Sequence, residues 1–133
     1  MTLLSLVIAG QALCVEGQEG TVDPKMEKTQ GYRDEVYRIA KPHDGPPRSG
    51  ADVYADRCAA CHDKTTQGAP MPGDDIEWRR RGRQGMTILM KHVIEGYRSL
   101  LMPPRGGCND CSDKELRSAV VYMLEKSGVS PPP

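Results

Sequence analysis

The sequence predicts an all-α domain built from short helices that are joined by loops rich in proline and glycine. Several stretches place apolar residues three or four positions apart, which is the spacing of residues on one face of a helix. Runs of β-branched residues, which strands favour, are scarce. With 133 residues, one Trp, five Tyr and no Phe, the chain has the length of one domain but few large side chains for its core.

Shifts in composition divide the chain into four parts. Residues 1–14 resemble the apolar part of a secretory signal but lack its basic start, so a cleaved signal and a short anchor both remain open interpretations. Residues 15–48 are a polar linker or N-terminal extension, with a short amphipathic helix predicted over residues 32–40. Residues 49–128 are the predicted folded domain, and residues 129–133 are a tail.

Two helices of the predicted domain begin at capping boxes. In a capping box, the side chains of the first and the fourth residue each accept the free backbone N–H of the other residue. Ser49 with Asp52 opens the first helix, and Ser112 with Glu115 opens the last one. A further helix is predicted over residues 86–97, where apolar side chains recur at helical spacing.

The most informative motif is C-x-x-C-H at residues 58–62, which is the attachment sequence of a c-type haem. Cys58 and Cys61 lie three positions apart, so that both thiols can add to the two vinyl groups of one haem. His62 then lies under the iron, where an imidazole is a standard proximal ligand. The motif therefore predicts one covalently bound haem c.

A thioredoxin-like redox pair and half of a zinc site are the alternative interpretations of C-x-x-C. A thioredoxin-like pair needs a βαβ context, which the scarcity of β-branched runs disfavours. A zinc site needs more Cys or His at ligand spacing, and the remaining close pair is Cys108 and Cys111. Ser112 follows that pair where a second haem motif would have a histidine, so a second haem is excluded.

Met102 is predicted to be the second axial ligand because of the loop in which it lies. A pair of prolines and then a pair of glycines follow it closely; the prolines fix φ and the glycines permit left-handed turns. A thioether ligand raises the reduction potential and closes the sixth coordination position. Met71 is the alternative, but it follows His62 by only nine positions. His92 is interpreted as a helix-surface or satisfied residue rather than a ligand.

Charge and hydropathy restrict the classes of partner. The 18 basic and 18 acidic residues balance, so net charge gives no reason to expect a nucleic acid partner. No run reaches the ~18 apolar residues that a membrane-spanning helix needs.

Four further segments accompany the C-x-x-C-H motif. They are Gly68-Ala69-Pro70 with Gly73-Asp74, Trp78-x-x-Arg81 with Gly85, Met86 and Leu89, the run from Met102 to Cys108, and Ser112 to Met123 with its Leu116, Ala119 and Tyr122. With these segments, residues 50–128 resemble the class I cytochromes c, and the cytochrome c5 family in particular, over about three-fifths of the chain.

The resemblance implies the class I cytochrome c fold, in which three to four helices surround one covalently bound haem. It implies that the Nδ1–H of His62 donates a hydrogen bond to the Pro70 carbonyl, which orients the ring. It also implies that Trp78 and Arg81 donate hydrogen bonds to the haem propionates. Plain core packing is the other interpretation of Trp78.

Two contacts outside the haem motif are implied by the same resemblance. Cys108 and Cys111 form a disulfide in this family, and an oxidising compartment favours it. Gly50 and Tyr54 pack against Tyr122 where the first and last helices cross.

The predicted function is one-electron transfer rather than catalysis, because two filled axial positions leave no substrate site on the iron. Donor and acceptor proteins are expected to dock at a haem edge ringed by Met71, Leu100, Leu101 and Met102. Leu100 and Leu101 belong to the segment that precedes Met102, which is longer and more apolar than the resemblance implies. Because haem is attached to C-x-x-C-H outside the cytoplasmic membrane, the mature protein is predicted to be periplasmic.

Two alternatives remain at the level of sequence. The chain could be the haem c subunit of a larger membrane redox complex, such as an oxidase or a dehydrogenase, held there by residues 1–14. A gas-binding sensor or a peroxidase would need an open iron site, against which Met102 argues.

Overall fold

The computed structural model of the protein describes residues 43–98 and 100–133. The signal or anchor predicted over residues 1–14 and the helix predicted over residues 32–40 lie outside the described residues. Within the described part of the chain, regular structure is helical apart from an isolated antiparallel bridge between Tyr97 and Met102. The all-α prediction is therefore confirmed.

The first helical segment leads without interruption into the C-x-x-C-H motif. Helix α1 (Gly50–Val53) continues through a π-helical turn (Tyr54–Cys58) into helix α2 (Ala59–His62), and the backbone stays in the right-handed helical region at both junctions. The capping box predicted at Ser49 is present, because its side chain accepts the backbone N–H of Asp52 and Asp52 accepts in return. The π-helical turn was not predicted.

The middle of the domain contains two helices, of which one was predicted. Helix α3 (Asp75–Gly82) is capped by the Asp74 side chain, which accepts the backbone N–H of Glu77. Helix α4 (Met86–Glu95) confirms the helix predicted over residues 86–97 but ends two residues earlier. Its end is set by Gly96, whose φ of 83° lies in the left-handed region that other residues adopt only with strain.

The last helix, α5 (Asp113–Lys126), begins at the predicted capping box. Ser112 accepts the backbone N–H of Glu115, and the Glu115 carboxylate accepts the backbone N–H of Ser112. Two short 3₁₀ turns, Thr66–Gly68 and Pro104–Gly107, connect the helices. The second turn follows Met102 directly, in a stretch for which the sequence predicted irregular structure.

Helices α1 and α5 cross at very close range. A Cβ atom on Gly50 would lie 2.1 Å from the backbone oxygen of Ser118, so that only glycine allows this approach. Next to the crossing, the rings of Tyr54 and Tyr122 pack with their centroids 5.2 Å apart. The expected packing of Tyr54 on Tyr122 is confirmed, whereas the nearest neighbour of Gly50 is Ser118.

The core consists of two clusters of buried side chains that share helix α5. One cluster joins α5 to α3 and α4 and includes Trp78, Leu89 and Met123. The other joins α5 to α1 and to the two cysteines near position 110. Residues 129–133, which were predicted to be a tail, contact this core, since Val129 packs on the first cluster and the Pro133 oxygen accepts the Met86 N–H at 3.2 Å.

Candidate functional site

A cavity that opens to solvent lies between α2, α3, α4 and α5. Its inner walls are apolar and come from α4 and α5, through Leu89, Val93, Leu116, Ala119, Val120 and Met123. Of the seven residues predicted to bind haem, all but Cys61 line this cavity: Cys58, His62, Pro70, Trp78, Arg81 and Met102. The chain thus brings most of its predicted site into one place.

The imidazole of His62 is fixed by burial and by one hydrogen bond. The side chain is 8% exposed, and its Nδ1 lies 2.8 Å from the Pro70 oxygen. Since a carbonyl can only accept, Nδ1 carries a proton and donates it to Pro70, which leaves Nε2 as the nitrogen for a metal. Burial lowers the pKa of His62, which favours the neutral ring that binds metal.

The two cysteines of the motif are free thiols in different surroundings. Cys58 is half-buried on the cavity wall, and burial raises the pKa of its thiol to about 11. Cys61 is exposed one turn further along the helix. The pair therefore presents one thiol inside the cavity and one at its outer side, on the same helical segment as His62.

Trp78 lies at the cavity as expected, but its indole N–H is used within the protein. The Nε1–H donates to the Met71 oxygen at 2.9 Å, and the side chain is 5% exposed. The hydrogen bond that the resemblance assigns to a haem propionate is therefore made here to backbone. In this structure Trp78 holds the loop that follows His62.

Arg81 lies at the cavity with its charge already paired. Its Nε donates to the Glu77 carboxylate at 2.9 Å, and a terminal nitrogen lies 2.7 Å from the same oxygen. Arg80 binds the same carboxylate. Hydrogen bonds from Arg80 and then from Arg81 lower the pKa of Glu77 to about 2.

Met102 lines the cavity, and both its backbone N–H and its backbone C=O are hydrogen-bonded. The Tyr97 N–H donates to the Met102 oxygen at 3.0 Å, and the Met102 N–H donates to the Tyr97 oxygen at 3.2 Å. Gly96 makes this approach feasible, because a Cβ there would lie 2.8 Å from the Met102 oxygen. Met71, the alternative, is 40% exposed and does not line the cavity.

Sequence reasoning missed other residues that line the cavity, among them His92, Arg98 and Arg105. His92, which was interpreted as a helix-surface or satisfied residue, lies on the cavity face of α4, and its ring centroid is 4.6 Å from that of Tyr97. The signal was available, since His92 follows Leu89 by three positions on one helix face. Arg105 carries no comparable local signal.

The structure joins Cys108 and Cys111 in a disulfide, with Cα atoms 5.4 Å apart. The loop of residues 108–111 follows the 3₁₀ turn after Met102 and precedes α5. Arg48 donates to the Cys111 Sγ at 3.3 Å from one side, and Arg105 donates to the Cys111 oxygen from the other. The loop is thus attached to the distant Arg48 and to the turn that directly precedes it.

These residues fit a covalently bound haem. Two thiols three positions apart suit the two vinyl groups, and a neutral imidazole with a free Nε2 suits a ferric or ferrous iron. The apolar walls suit a porphyrin, and Met102 supplies a thioether at the same cavity. Guanidinium groups among the lining residues suit the propionate carboxylates.

The sequence matches the family described as "Cytochrome C oxidase, cbb3-type, subunit III" over residues 45–123. Over 81 residues it is 41% identical to the cytochrome c5 of Ectopseudomonas mendocina, a match that covers 59% of this chain and 91% of that protein. The cytochrome c5 of Azotobacter vinelandii is also 41% identical, with 59% and 95% covered. The cytochrome c-555 of Chlorobaculum tepidum is 37% identical, with 59% and 75% covered.

Among solved structures, the fold is similar to a chain described in the "crystal structure of electron transfer complex of nitrite reductase with cytochrome c". The TM-score is 0.55 and the sequences are 35% identical, with 59% of this chain and 93% of that chain covered. None of the helices in the described part of the chain has the length and apolar character that crossing a bilayer requires.

Proposed function

Because the chain belongs to the cytochrome c family, whose cofactor is a covalently bound haem c, we propose that it carries single electrons with a His/Met-ligated haem. One observation carries this proposal: His62 and Met102 line the same cavity, and each is held in place by hydrogen bonds to the chain. When bound, the haem supplies an Fe(III)/Fe(II) couple. Cys58 and Cys61 would hold it covalently.

The chain's own residues set the properties of such a carrier. Pro70 accepts from His62 Nδ1, so Nε2 is oriented as the proximal donor. Met102 would hold the iron together with His62, and an iron held by both side chains would have no place for a substrate, which supports a role without catalysis. The apolar side chains of α4 and α5 would surround a bound porphyrin, and burial of that kind favours a high reduction potential.

Absorption spectroscopy of the purified holoprotein tests the ligand set. With His/Met ligation, the ferric protein should show the near-infrared thioether-to-iron band, and the ferrous protein should not bind carbon monoxide. A ferric spectrum without that band, or fast carbon monoxide binding, would contradict the proposed ligation.

The proposed compartment is the periplasm. Haem attachment to C-x-x-C-H takes place outside the bacterial cytoplasmic membrane, and the Cys108–Cys111 disulfide is of a kind that persists in oxidising compartments. Fractionation of cells that express the full chain should recover haem-stained protein with periplasmic markers. Recovery with cytosolic markers would contradict export.

The proposed partners are other redox proteins. The structurally similar cytochrome c was solved in an electron transfer complex with a nitrite reductase, which supports docking of a carrier of this fold on a larger enzyme. On this chain the mouth of the cavity carries Leu101, which is 50% exposed, beside Met102. An apolar rim at the cofactor allows close approach and short transfer distances.

A second candidate is a haem c subunit of a membrane oxidase, because the matching family is described as a subunit of a cbb3-type cytochrome c oxidase. Residues 1–14 would then attach the chain to the membrane. Membrane fractions washed with high salt distinguish the two candidates. Haem-stained chain that stays in the membrane and co-purifies with an oxidase in mild detergent supports the subunit, and release into the wash supports the carrier.

A further inference from the structure

Arg105 is a buried cation in the wall of the cavity, three positions after Met102. It is 7% exposed, and its guanidinium is held on two sides. One terminal nitrogen donates to the Cys111 oxygen, and the other lies 2.8 Å from the Asp113 carboxylate at the start of α5. Burying a charge is costly unless such partners are supplied, so this side chain is fixed by its contacts.

The backbone at Arg105 is as constrained as the side chain. Its φ of 59° lies in the left-handed region, and Gly106 follows with a φ of 60°. The Arg105 oxygen accepts the Cys108 N–H at 3.0 Å. A residue other than glycine keeps this conformation only where the surrounding structure imposes it. The side chain and the backbone of Arg105 therefore both connect the turn after Met102 to the disulfide loop.

The disulfide loop has a second guanidinium on its other side. Arg48 donates to Cys111 Sγ at 3.3 Å, to Glu115 at 2.9 Å and to Asp110 at 3.2 Å. Arg48 does not line the cavity. The two arginines thus contact the same loop and the same end of α5, but only Arg105 also faces the cavity and adjoins Met102.

We propose that Arg105 is a positioning residue for Met102, which fixes the turn after the methionine to the disulfide loop and to α5. This role rests on the proposed ligation of iron by Met102. Without the guanidinium, the turn loses its side-chain attachments and the left-handed conformation at Arg105 loses its support. The thioether then leaves the iron more readily, although the fold keeps its core.

Imidazole binding to the ferric holoprotein measures this directly, because exogenous imidazole must displace Met102. Arg105→Gln should tighten apparent imidazole binding about 10-fold, as expected when the support of a metal ligand is removed, and should weaken the near-infrared thioether band at neutral pH. Arg105→Lys keeps the charge and one donor group, and should recover part of the wild-type affinity.

Arg48→Gln is the matched control. It removes a guanidinium from the same loop and lowers thermal stability. If Arg105 acts on Met102 specifically, and not by loosening the whole disulfide loop, Arg48→Gln should leave imidazole affinity within about 2-fold of wild type. Wild-type imidazole affinity in Arg105→Gln, or equal tightening in Arg48→Gln, would overturn the role. If Arg105→Gln does not fold, Arg105→Lys alone decides. The positioning role is then contradicted if Arg105→Lys has the imidazole affinity, the thioether band intensity and the stability of wild type.

Met102→Ala separates failure of this role from failure of the proposed ligation. If wild type and Met102→Ala bind imidazole equally and wild type lacks the thioether band, then Met102 is not the ligand and the proposed ligation itself is wrong. If Met102→Ala binds imidazole much more tightly than wild type while Arg105→Gln does not, the ligation stands and the positioning role is wrong.

Discussion

The two sides of the cavity hold their candidate ligands in different ways. On the proximal side, both thiols and the imidazole lie within residues 58–62 of one helical segment, and one hydrogen bond from Nδ1 to Pro70 orients the ring. On the distal side, Met102 lies in a loop whose shape depends on Gly96, Arg105 and the disulfide at Cys108. The proximal ligands lie within five residues of one helical segment, whereas the distal side is an irregular loop whose supporting residues extend from Gly96 to Cys111.

The difference has an energetic consequence. A helix supplies its own backbone hydrogen bonds, so the proximal residues keep their geometry as long as the helix persists. A loop with left-handed residues persists only while tertiary contacts hold it. Substitutions away from the cavity should therefore disturb the distal side before the proximal side.

The largest effect should come from the proximal thiols. Cys58→Ala with Cys61→Ala removes both attachment points, so the purified protein should lose the mass of one haem in intact mass spectrometry. Cys108→Ser with Cys111→Ser is the matched control, because it removes two cysteines of the distal side and should leave that mass unchanged. Haem retained covalently after the first pair is replaced would contradict the assignment.

The next largest effect should come from Met102. Met102→Ala opens the distal position, lowers the reduction potential and lets the ferrous form bind carbon monoxide, because a weak thioether ligand is replaced by a vacant site. Redox titration and the carbon monoxide difference spectrum measure both changes. Met71→Ala should match wild type in both measurements. If instead Met71→Ala lowers the potential and binds carbon monoxide while Met102→Ala matches wild type, then Met71 is the distal ligand.

The disulfide should have a smaller effect that is confined to the distal side. Replacing Cys108 and Cys111 by serine opens a loop of only four residues, so the free energy of unfolding should fall by about 1–2 kcal/mol. The Soret spectrum should be unchanged, while the pH at which Met102 is displaced in the ferric state should fall. Loss of haem from this double variant would show that the two sides are less independent than the structure indicates.

The smallest effect should be the pH dependence of the contact between Arg48 and Glu115. The Arg48 hydrogen bonds lower the pKa of Glu115 well below its ordinary value of 4.5. The carboxylate therefore stabilises the folded state above that ordinary value, and this contribution is lost as the pH falls from about 5 toward the lowered pKa. Thermal melts between pH 7 and pH 3 should show the melting temperature of wild type falling toward that of Glu115→Gln.

Glu125→Gln is the control for this pH series, because Glu125 is an exposed glutamate of the same helix. Its melting temperature should follow wild type across the range. A constant difference between wild type and Glu115→Gln at every pH would mean that the Glu115 charge does not stabilise this end of α5.

Local signals in the sequence were sufficient for much of the fold. The capping boxes at Ser49 and Ser112 and the apolar periodicity of α4 each involve residues within a few positions of one another. Helix α3 was missed because it is mostly polar and has no apolar stripe. Its own signal was Asp74 followed by Glu77, together with the helical pairing of Glu77 and Arg81.

The site was predictable to the extent that its chemistry is local. C-x-x-C-H at residues 58–62 fixes the proximal side in five residues, and the proline pair after Met102 marks its loop. The position of Arg105 in the cavity wall was not predictable, because it depends on Cys111 and Asp113 lying within reach in three dimensions. The hydrogen bond from Trp78 to the Met71 oxygen was not predictable either, because a backbone partner leaves no pattern in the sequence.

The π-helical turn between Tyr54 and Cys58 changes the angular phase of the haem motif. In an uninterrupted α-helix, residues eight positions apart such as Tyr54 and His62 would point about 80° apart. The turn closes with the Ala59 N–H on the Tyr54 oxygen, five positions back, so it absorbs one residue and reduces that difference to about 20°. The same face of one helical segment thereby packs on α5 at one end and presents the imidazole at the other.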